Sequence, residues 1–342
     1  MALVDVIIVN WNGLHFLSEC LGALSRQTFS EFEVWLVDNG SRDGSVDWVR
    51  YHYPDVHLVV NDRNLGFAAA NNQAIRLGRA PFVATLNNDA VPEPQWLAEM
   101  VSVAQSHPEV GMVASLMLFH HAPDVINSAG IAVDRLGFAW DRLGGQPIHA
   151  SEQVPTPVFG ASAGAALYRR TMLDEIGLFD EDFFAYLEDV DLAWRAQWAG
   201  WECLYVPTAR VLHHHSGTAG EGSPLKDYLL ARNKVWLVAK NYPFGAMKAY
   251  LPLLLAYDLL AMISVSLRHG RLDAVRGRVA GWRAWSKMLS KRQQVIQRAC
   301  EQQITYRLLP AESPLRVAAR YKHLSTSMGV TWAGKSPARL CR

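Results

Sequence analysis

The chain has little cysteine: Cys20, Cys203, Cys300 and Cys341 are the only four in 342 residues. No two form a CxxC pair, so free thiols in a reducing cytoplasm are expected rather than a disulfide framework. Glycine-rich phosphate fingerprints are also missing. No GxGxxG follows the first apolar run, and GxxxxGK[ST] occurs nowhere. That argues against dinucleotide dehydrogenases and P-loop enzymes. The opening "MALVDVIIVNWNG" has neither a basic n-region nor a small-residue cleavage site. It reads as a first strand rather than a signal peptide. Internal repeats and low-complexity stretches are absent from the sequence.

What is present is ample core. Half of the residues are hydrophobic (50%) and 19% are charged, consistent with one large or two modest domains. The formal net charge of +1 conceals an asymmetry. From Arg268 onward lie 16 of the 33 basic residues and 3 of the 32 acidic ones, a net of +13. The part before it holds 17 against 29, a net of −12. A basic tail on an acidic body suggests a polyanionic partner, phospholipid or nucleic acid.

The first half alternates short apolar runs with helical periodicity. Val4–Val9, Val34–Val37, His57–Val60 and Phe82–Leu86 read as buried strands. Leu14–Ser25, Ser45–Tyr51, Ala68–Leu77 and Gln95–Ser106 read as helices between and after them. This alternation predicts an α/β fold with a mostly parallel, doubly wound sheet. Ligands of such sheets collect beyond the C-terminal strand ends. There the sequence places Asn10-Trp11-Asn12-Gly13, Asp38-Asn39-Gly40-Ser41, Asn61-Asp62-Arg63-Asn64 and Asn87-Asn88-Asp89. Any one cluster could be turn chemistry; four at one sheet edge make a rim of amides and carboxylates. Pro92 and Pro94 are expected to end the fourth strand.

Three features suggest chemistry. Asp89 ends a strand, where a carboxylate can hold Mg²⁺ or Mn²⁺ against a substrate phosphate. Glu188-Asp189-x-Asp191 opens a predicted helix, Tyr186–Trp198. Its acids suit the helix dipole and an Asp191–Arg195 ion pair, or one of them acts as a general base. His213-His214-His215 follows another apolar strand; it is either a loop feature or the source of an imidazole for the metal on Asp89. In the same half, Leu204–Val206 and Arg210–Leu212 read as strands and Leu225–Asn241 as a helix.

Taken in order, "VIIVNWNG", "VDNGSRDGS", "DRNLGFAAANN", "LNNDAVP", "GASAGAALYRR", "GLFDEDFFAYLEDVDLAWR", "VLHHHSGTAG" and "ARNKVWL" resemble family 2 glycosyltransferases. The likeness is to the rhamnosyltransferase-like branch of cell-surface polysaccharide synthesis, over about residues 3–245. The resemblance implies the GT-A fold, a nucleotide-sugar donor, a divalent metal (Mg²⁺ or Mn²⁺) and inversion by direct displacement. It implies that Asp38 contacts the donor base, with Asn10, Asn12, Arg63 and Asn64 near the nucleotide. Asn87-Asn88-Asp89 stands at the DxD position, with Asp89 a metal ligand and His213 the late metal-binding histidine. Asn87 replaces the first DxD carboxylate. Asp189 resembles the catalytic base, with Glu188 shaping the acceptor side. Gly160, Ala161 and Gly164 resemble the acceptor-side loop, and Asp191 and Trp194 are assigned to that side as well. The implied donor is dTDP-rhamnose, and the implied acceptor a saccharide or polyprenyl-linked saccharide.

The expected organisation is a catalytic domain over 1–242, an apolar and basic helical extension over 243–300 and a tail over 301–342. Within the catalytic domain, 1–120 would bind the nucleotide sugar and 121–242 form the acceptor side. Leu251–Leu267, "LPLLLAYDLLAMISVSL", is the most apolar run and contains Pro252 and Asp258. It could span the bilayer, lie in its interface or be buried in protein. Arg268, Arg271, Arg276, Arg278, Arg283, Lys287, Lys291 and Arg292 follow, with Trp282 and Trp285 between them. Such a mixture suits an anionic lipid surface, and a solvated helix face is the alternative. No nucleic-acid module accompanies the charge. The expected location is cytoplasmic, peripheral on the inner face of the membrane. Two competing functions are a nucleotidyltransferase on a related sheet and a non-catalytic nucleotide-sugar-binding protein.

Overall fold

The computed structural model describes residues 2–215 and 223–296, together with 304, 307–311 and 316. Cys300, Cys341, most of the 301–342 tail and Ser216–Gly222 of the His-rich motif lie outside the described residues. The strands are β1 (Val4–Asn10), β2 (Phe32–Asp38), β3 (His57–Val60), β4 (Phe82–Asn87), β5 (Ala90–Pro92) and β6 (Val110–Phe119). They continue with β7 (Ala122–Ser128), β8 (Ile131–Val133), β9 (Ala139–Asp141), β10 (Thr156–Pro157), β11 (Ala165–Arg169) and β12 (Glu202–His213). The helices are α1 (Leu14–Leu24), α2 (Ser45–His52), α3 (Phe67–Leu77), α4 (Trp96–Ser106) and α5 (Arg170–Ile176). After them come α6 (Glu188–Trp198), α7 (Pro224–Asn241), α8 (Phe244–His269), α9 (Asp273–Arg283) and α10 (Trp285–Ile296).

The main sheet runs β10-β12-β6-β11-β4-β1-β2-β3. Four of its pairs are parallel: β1 with β2 and β4, β2 with β3, and β6 with β12. β11 enters antiparallel between β4 and β6 and joins the two parallel sets. β1 is apolar on both faces apart from Asp5, because helices cover both sides of the sheet. One face packs Leu17, Leu21, Trp96, Leu97 and Met100 against the strands. The other packs Ala70, Ile75, Met172, Leu192 and Trp198. Each such large aliphatic side chain contributes roughly 1.5–3 kcal/mol. Asp5, inside β1, is neutralised by Arg170 at 2.7 Å and accepts from the Ala80 N–H at 2.9 Å.

The predicted elements of the first half are all present. Two readings need correction. Pro92 and Pro94 do not end the β-structure after Asp89: Ala90–Pro92 forms β5, antiparallel to Val211–His213. Leu204–Val206 and Arg210–Leu212 are one strand, β12, with a register shift around Pro207. The apolar run is longer than read: α8 has 26 residues, and its segment Lys248–His269 has a mean hydropathy of 1.8. That segment is nearly unburied by the protein, so the buried-helix alternative fails.

The basic run behaves unlike the lipid-facing stretch expected of it. Arg271 pairs with Asp227 at 3.1 Å, Arg278 with Asp258 at 2.5 Å and Lys287 with Asp182 at 2.7 Å. Lys291 bridges Asp180 (2.5 Å) and Asp182 (2.7 Å). These four basic residues therefore find their counter-charges within the protein. Gly277 and Gly281 of α9 make this possible. A Cβ at Gly277 would lie 2.2 Å from the Tyr228 carbonyl oxygen, and one at Gly281 would lie 2.8 Å from Val235 Cβ. Only glycine lets α9 sit so close to α7.

Candidate active site

Register places the strand tips side by side. Asn10 is level with Asp38, and Val9 is level with Asn87. Asn10 donates to Asp38 Oδ2 at 2.9 Å and accepts from Asn88 Nδ2 at 2.8 Å. Asp38 Oδ1 accepts from the Ser41 N–H at 2.8 Å. Asn10 and Asp38 are fully buried, so they hold the loops in shape beneath the cleft. Gly13 is required here because its Cβ would stand 2.1 Å from Asn88 Nδ2. Asn12 is exposed, at φ 50°, and its Oδ1 accepts from the Arg42 N–H at 2.8 Å. Asn64 accepts from Asn39 Nδ2 at 3.1 Å and from the Gly66 N–H at 2.8 Å. Arg63 is exposed beside Gly40, whose φ of +80° and contact with the Arg63 backbone leave no room for a side chain.

The β5–β12 pairing brings Asp89 to His213. The His214 N–H donates to the Asp89 carbonyl at 3.0 Å, and Asp89 Oδ1 lies 3.1 Å from His213 Nε2. Both side chains are buried. His213 Nδ1 donates to Asn127 Oδ1 at 2.8 Å. In the neutral imidazole this bond places the proton on Nδ1 and turns the Nε2 lone pair towards the carboxylate. A carboxylate and an imidazole at that spacing fit a divalent ion, which Asp89 and His213 would hold. Asn87, the amide at the first DxD position, lies 3.3 Å from His213 Nε2 through its Nδ2.

The loop from Gly160 to Gly164 links this pair to the carboxylates. Gly164 O accepts from the Asn87 N–H at 2.8 Å. One residue earlier, the Ala163 N–H donates to Asp189 Oδ2 at 3.2 Å, and Asp189 Oδ1 accepts from the Val190 N–H at 2.8 Å. Gly160 packs where a Cβ would be 2.4 Å from Ala193 Cβ, and Ala161 is buried. Burial pushes the Asp189 carboxyl up to about 6, with a like-charge contribution from Asp141, although backbone N–H groups pull the other way. Burial, and then the Asp189 charge, raise Glu188 well above the carboxylate range. Glu188 Oε2 has no hydrogen-bond partner.

The segment before these acids is strained. Phe184, Tyr186 and Leu187 all have positive φ, at 68°, 68° and 67°. Such residues cost of order 1–3 kcal/mol each and need surrounding structure to hold them. Asn233, fully buried on α7, supplies it: Nδ2 reaches the carbonyls of Phe183 (3.0 Å), Ala185 (2.9 Å) and Tyr186 (2.7 Å).

Two assignments fail. Asp191 is fully buried and bound to Arg195 Nε (2.9 Å), Lys240 Nζ (2.9 Å) and Asn241 Nδ2 (2.8 Å). Trp194 is buried against Phe159 and Tyr242. Both point into the core, so neither lines an acceptor surface. Two polar residues went unremarked in the sequence. Asn127 orients His213, and Asp141 carries a carboxyl raised by burial whose charge bears on both Asp189 and His213. Neither residue lies in a motif that the sequence offers: Asn127 lies next to the end of β7 and Asp141 ends β9, and only the folded sheet brings them to His213 and Asp189.

A family model described as "Glycosyl transferase family 2" matches residues 5–177. The chain belongs to glycosyl transferase family 2. This family 2 glycosyltransferase is 32% identical over 240 residues to the N-acetylglucosaminyl-diphospho-decaprenol L-rhamnosyltransferase of Mycobacterium tuberculosis, covering 64% of this chain and 78% of that one. It is 31% identical over 239 residues to the O-antigen biosynthesis protein RfbC of Myxococcus xanthus, covering 65% of this chain and 18% of that one. Among solved structures, GalNAc-T7 with UDP, GalNAc and Mn²⁺ superposes with a TM-score of 0.60 at 15% identity, covering 85% of this chain and 57% of that one. The mannosyltransferase PcManGT from Pyrobaculum calidifontis, with GDP-Man and Mn²⁺, gives 0.52 at 20% identity, covering 86% and 85%. These likenesses show the GT-A fold. The glycosyltransferase belongs to the rhamnosyltransferase-like branch, and its family decides against the nucleotidyltransferase and non-catalytic alternatives.

Proposed function

We propose that this enzyme transfers a deoxyhexose, rhamnose from dTDP-rhamnose, to a polyprenyl-diphosphate-linked saccharide with inversion at the anomeric carbon. The names of the relatives support the sugar and the lipid-linked acceptor. The observation that carries the reading is Asp189. Two backbone N–H groups fix both of its oxygens, its carboxyl titrates near 6, and one loop connects it to Asn87.

In this reading the donor nucleotide lies over Asn10, Asn12, Asp38, Arg63 and Asn64, with the diphosphate at Asn87, Asn88 and Asp89. Asp189 takes the proton of the acceptor hydroxyl as that oxygen attacks the anomeric carbon opposite the diphosphate. A carboxyl near 6 is ionised at pH 7 yet more basic than an ordinary aspartate, which suits this task. Glu188, held neutral, limits the negative charge beside it and keeps one oxygen for the acceptor. Asp89 and His213 would hold a divalent ion, Mg²⁺ or Mn²⁺, which offsets charge on the leaving diphosphate when bound. No protein nucleophile is needed, in keeping with Cys20 and Cys203 being buried free thiols.

We further infer that α8 meets lipid. Its 22-residue apolar segment is long enough to reach across a bilayer at 1.5 Å per residue, and Leu253, Leu259, Leu260 and Leu267 are exposed. Asp258, the acid within it, turns inward to Lys234 (3.2 Å) and Arg278. The enzyme would then work on the cytoplasmic face of the membrane, where a lipid-linked acceptor is reached. A panel of nucleotide sugars, with release of nucleoside diphosphate read with and without EDTA, tests the donor. Turnover of dTDP-rhamnose is the expected result. Turnover of another donor, with none of this one, would replace the assignment.

A further inference from the structure

The His213-His214-His215 motif divides between two faces of the sheet, and the transfer reaction uses only one. His213 turns to Asp89. His214 turns the other way, where the parallel register of β6 and β12 brings His120 beside it. Leu118 pairs with Leu212 and Phe119 with His213, so His120 and His214 are the next step along the two strands. Their rings stack at 3.8 Å. Helix α1 runs over this face and presents Glu19. Glu19 Oε1 lies 3.1 Å from His120 Nε2, and Oε2 lies 3.1 Å from His214 Nε2.

We propose that Glu19, His120 and His214 form a second metal site, separate from Asp89 and His213, that takes Zn²⁺ or a similar transition ion such as Co²⁺. Three segments far apart in sequence converge there, with their ligand atoms within 4.8 Å of one another. Bond lengths of about 2.0–2.1 Å in a tetrahedral shell place neighbouring ligand atoms about 3.4 Å apart. The two nitrogen–oxygen distances are already near that value, and the stacked rings need only turn apart to aim both nitrogens at one ion. Backbone hydrogen bonds hold the histidines ready: the His120 N–H donates to His213 O at 2.9 Å, and the His214 N–H to Asp89 O at 3.0 Å.

The ligand set fixes the class of ion. Two imidazoles and one carboxylate, with a position open to solvent, match the preference of Zn²⁺ and its neighbours for nitrogen. At Asp89 a single imidazole, that of His213, stands beside a carboxylate and the diphosphate oxygens expected there, a mostly oxygen set that suits Mg²⁺ or Mn²⁺ instead. Hydrogen bonding alone also accounts for the apo arrangement, since each imidazole can donate to one Glu19 oxygen. The two cases differ in what happens when metal is added. An ion here would tie α1, which begins just after the Asn10–Gly13 loop, to the end of β12 that carries His213. It would brace both walls of the donor site without touching the donor.

The test is Co²⁺ titration of the metal-free full-length protein, read by visible d–d absorption and by calorimetry. Wild type is expected to bind one Co²⁺ at this site with a tetrahedral-type spectrum, displaced by Zn²⁺ and not by Mg²⁺. Glu19→Gln and His120→Ala should each weaken that binding at least tenfold, while Asp89→Asn leaves it in place. Zn²⁺ should raise the melting temperature of wild type and not of Glu19→Gln, a surface change that spares the fold. No such spectrum in wild type, or one that persists at full affinity in both Glu19→Gln and His120→Ala, overturns the proposal.

Discussion

Replacing Asp189 by asparagine should remove activity and stabilise the protein. The carboxyl is raised from 3.8 to about 6 because the fold buries it beside Asp141. At 1.36 kcal/mol per pH unit, holding it ionised costs the folded state about 3 kcal/mol above pH 6. Asparagine offers one acceptor oxygen, so one of the two backbone bonds from Ala163 and Val190 is lost, taking back about 1 kcal/mol. Partial solvent access at the cleft trims the total further. A net gain of about 1–2 kcal/mol at pH 8 is expected for Asp189→Asn. The sign follows from a folded-state value above the unfolded one. The fold is penalised above about pH 6, and the penalty fades as pH falls towards 4. Urea melts at pH 8 and pH 4.5 read this directly, with the advantage of the variant present at the higher pH and gone at the lower. In parallel, kcat/KM of wild type should rise along a limb near pH 6, and the variant should lose about 10²–10⁴ in rate while still binding nucleotide. A variant less stable than wild type at pH 8, or an activity limb near 4, would refute the reasoning.

Asn233→Ala leaves three carbonyls of the strained segment without their amide. A loss of about 2–4 kcal/mol in chemical denaturation, with kcat falling more than KM rises, is expected. Lys240→Met removes one of two cationic partners from each of Asp180 and Asp191, whose carboxyls are held low against burial by that lysine and its neighbours, and leaves them Lys291 and Arg195. Losing these charged hydrogen bonds should cost about 1.5–3 kcal/mol at pH 7, measured by thermal melting, and less at a pH low enough to protonate both carboxyls. Leu259→Glu with Leu260→Glu on α8 should abolish pelleting with vesicles containing anionic lipid while leaving soluble-donor hydrolysis intact; undiminished pelleting would remove α8 as the lipid contact.

The strand tips were legible because a parallel sheet buried on both faces leaves a plain signature: apolar runs that stop abruptly at Asn10, Asp38 and Asn87. The rest depends on distance in space. Asp191 and Trp194 share a helix with Asp189, but helical spacing turns them inward; the Asp191–Arg195 pair was readable from the i,i+4 spacing, whereas Lys240, Phe159 and Tyr242 lie on other segments. The basic run invited a lipid reading since its partners, Asp180, Asp182 and Asp227, lie 44 to 111 residues away. Asn127 gave no local sign at all, because its role exists only where β7 meets β12.

The lysines of α10 that close on Asp180 and Asp182 have a practical consequence for handling the enzyme. A version shortened after residue 242 to escape the greasy helix would also discard Lys287 and Lys291, leaving Asp180 and Asp182, close to the helix that carries Asp189, with fewer counter-charges. Solubility is better sought by recolouring the outer leucines of α8 in place, with the chain kept whole through α10.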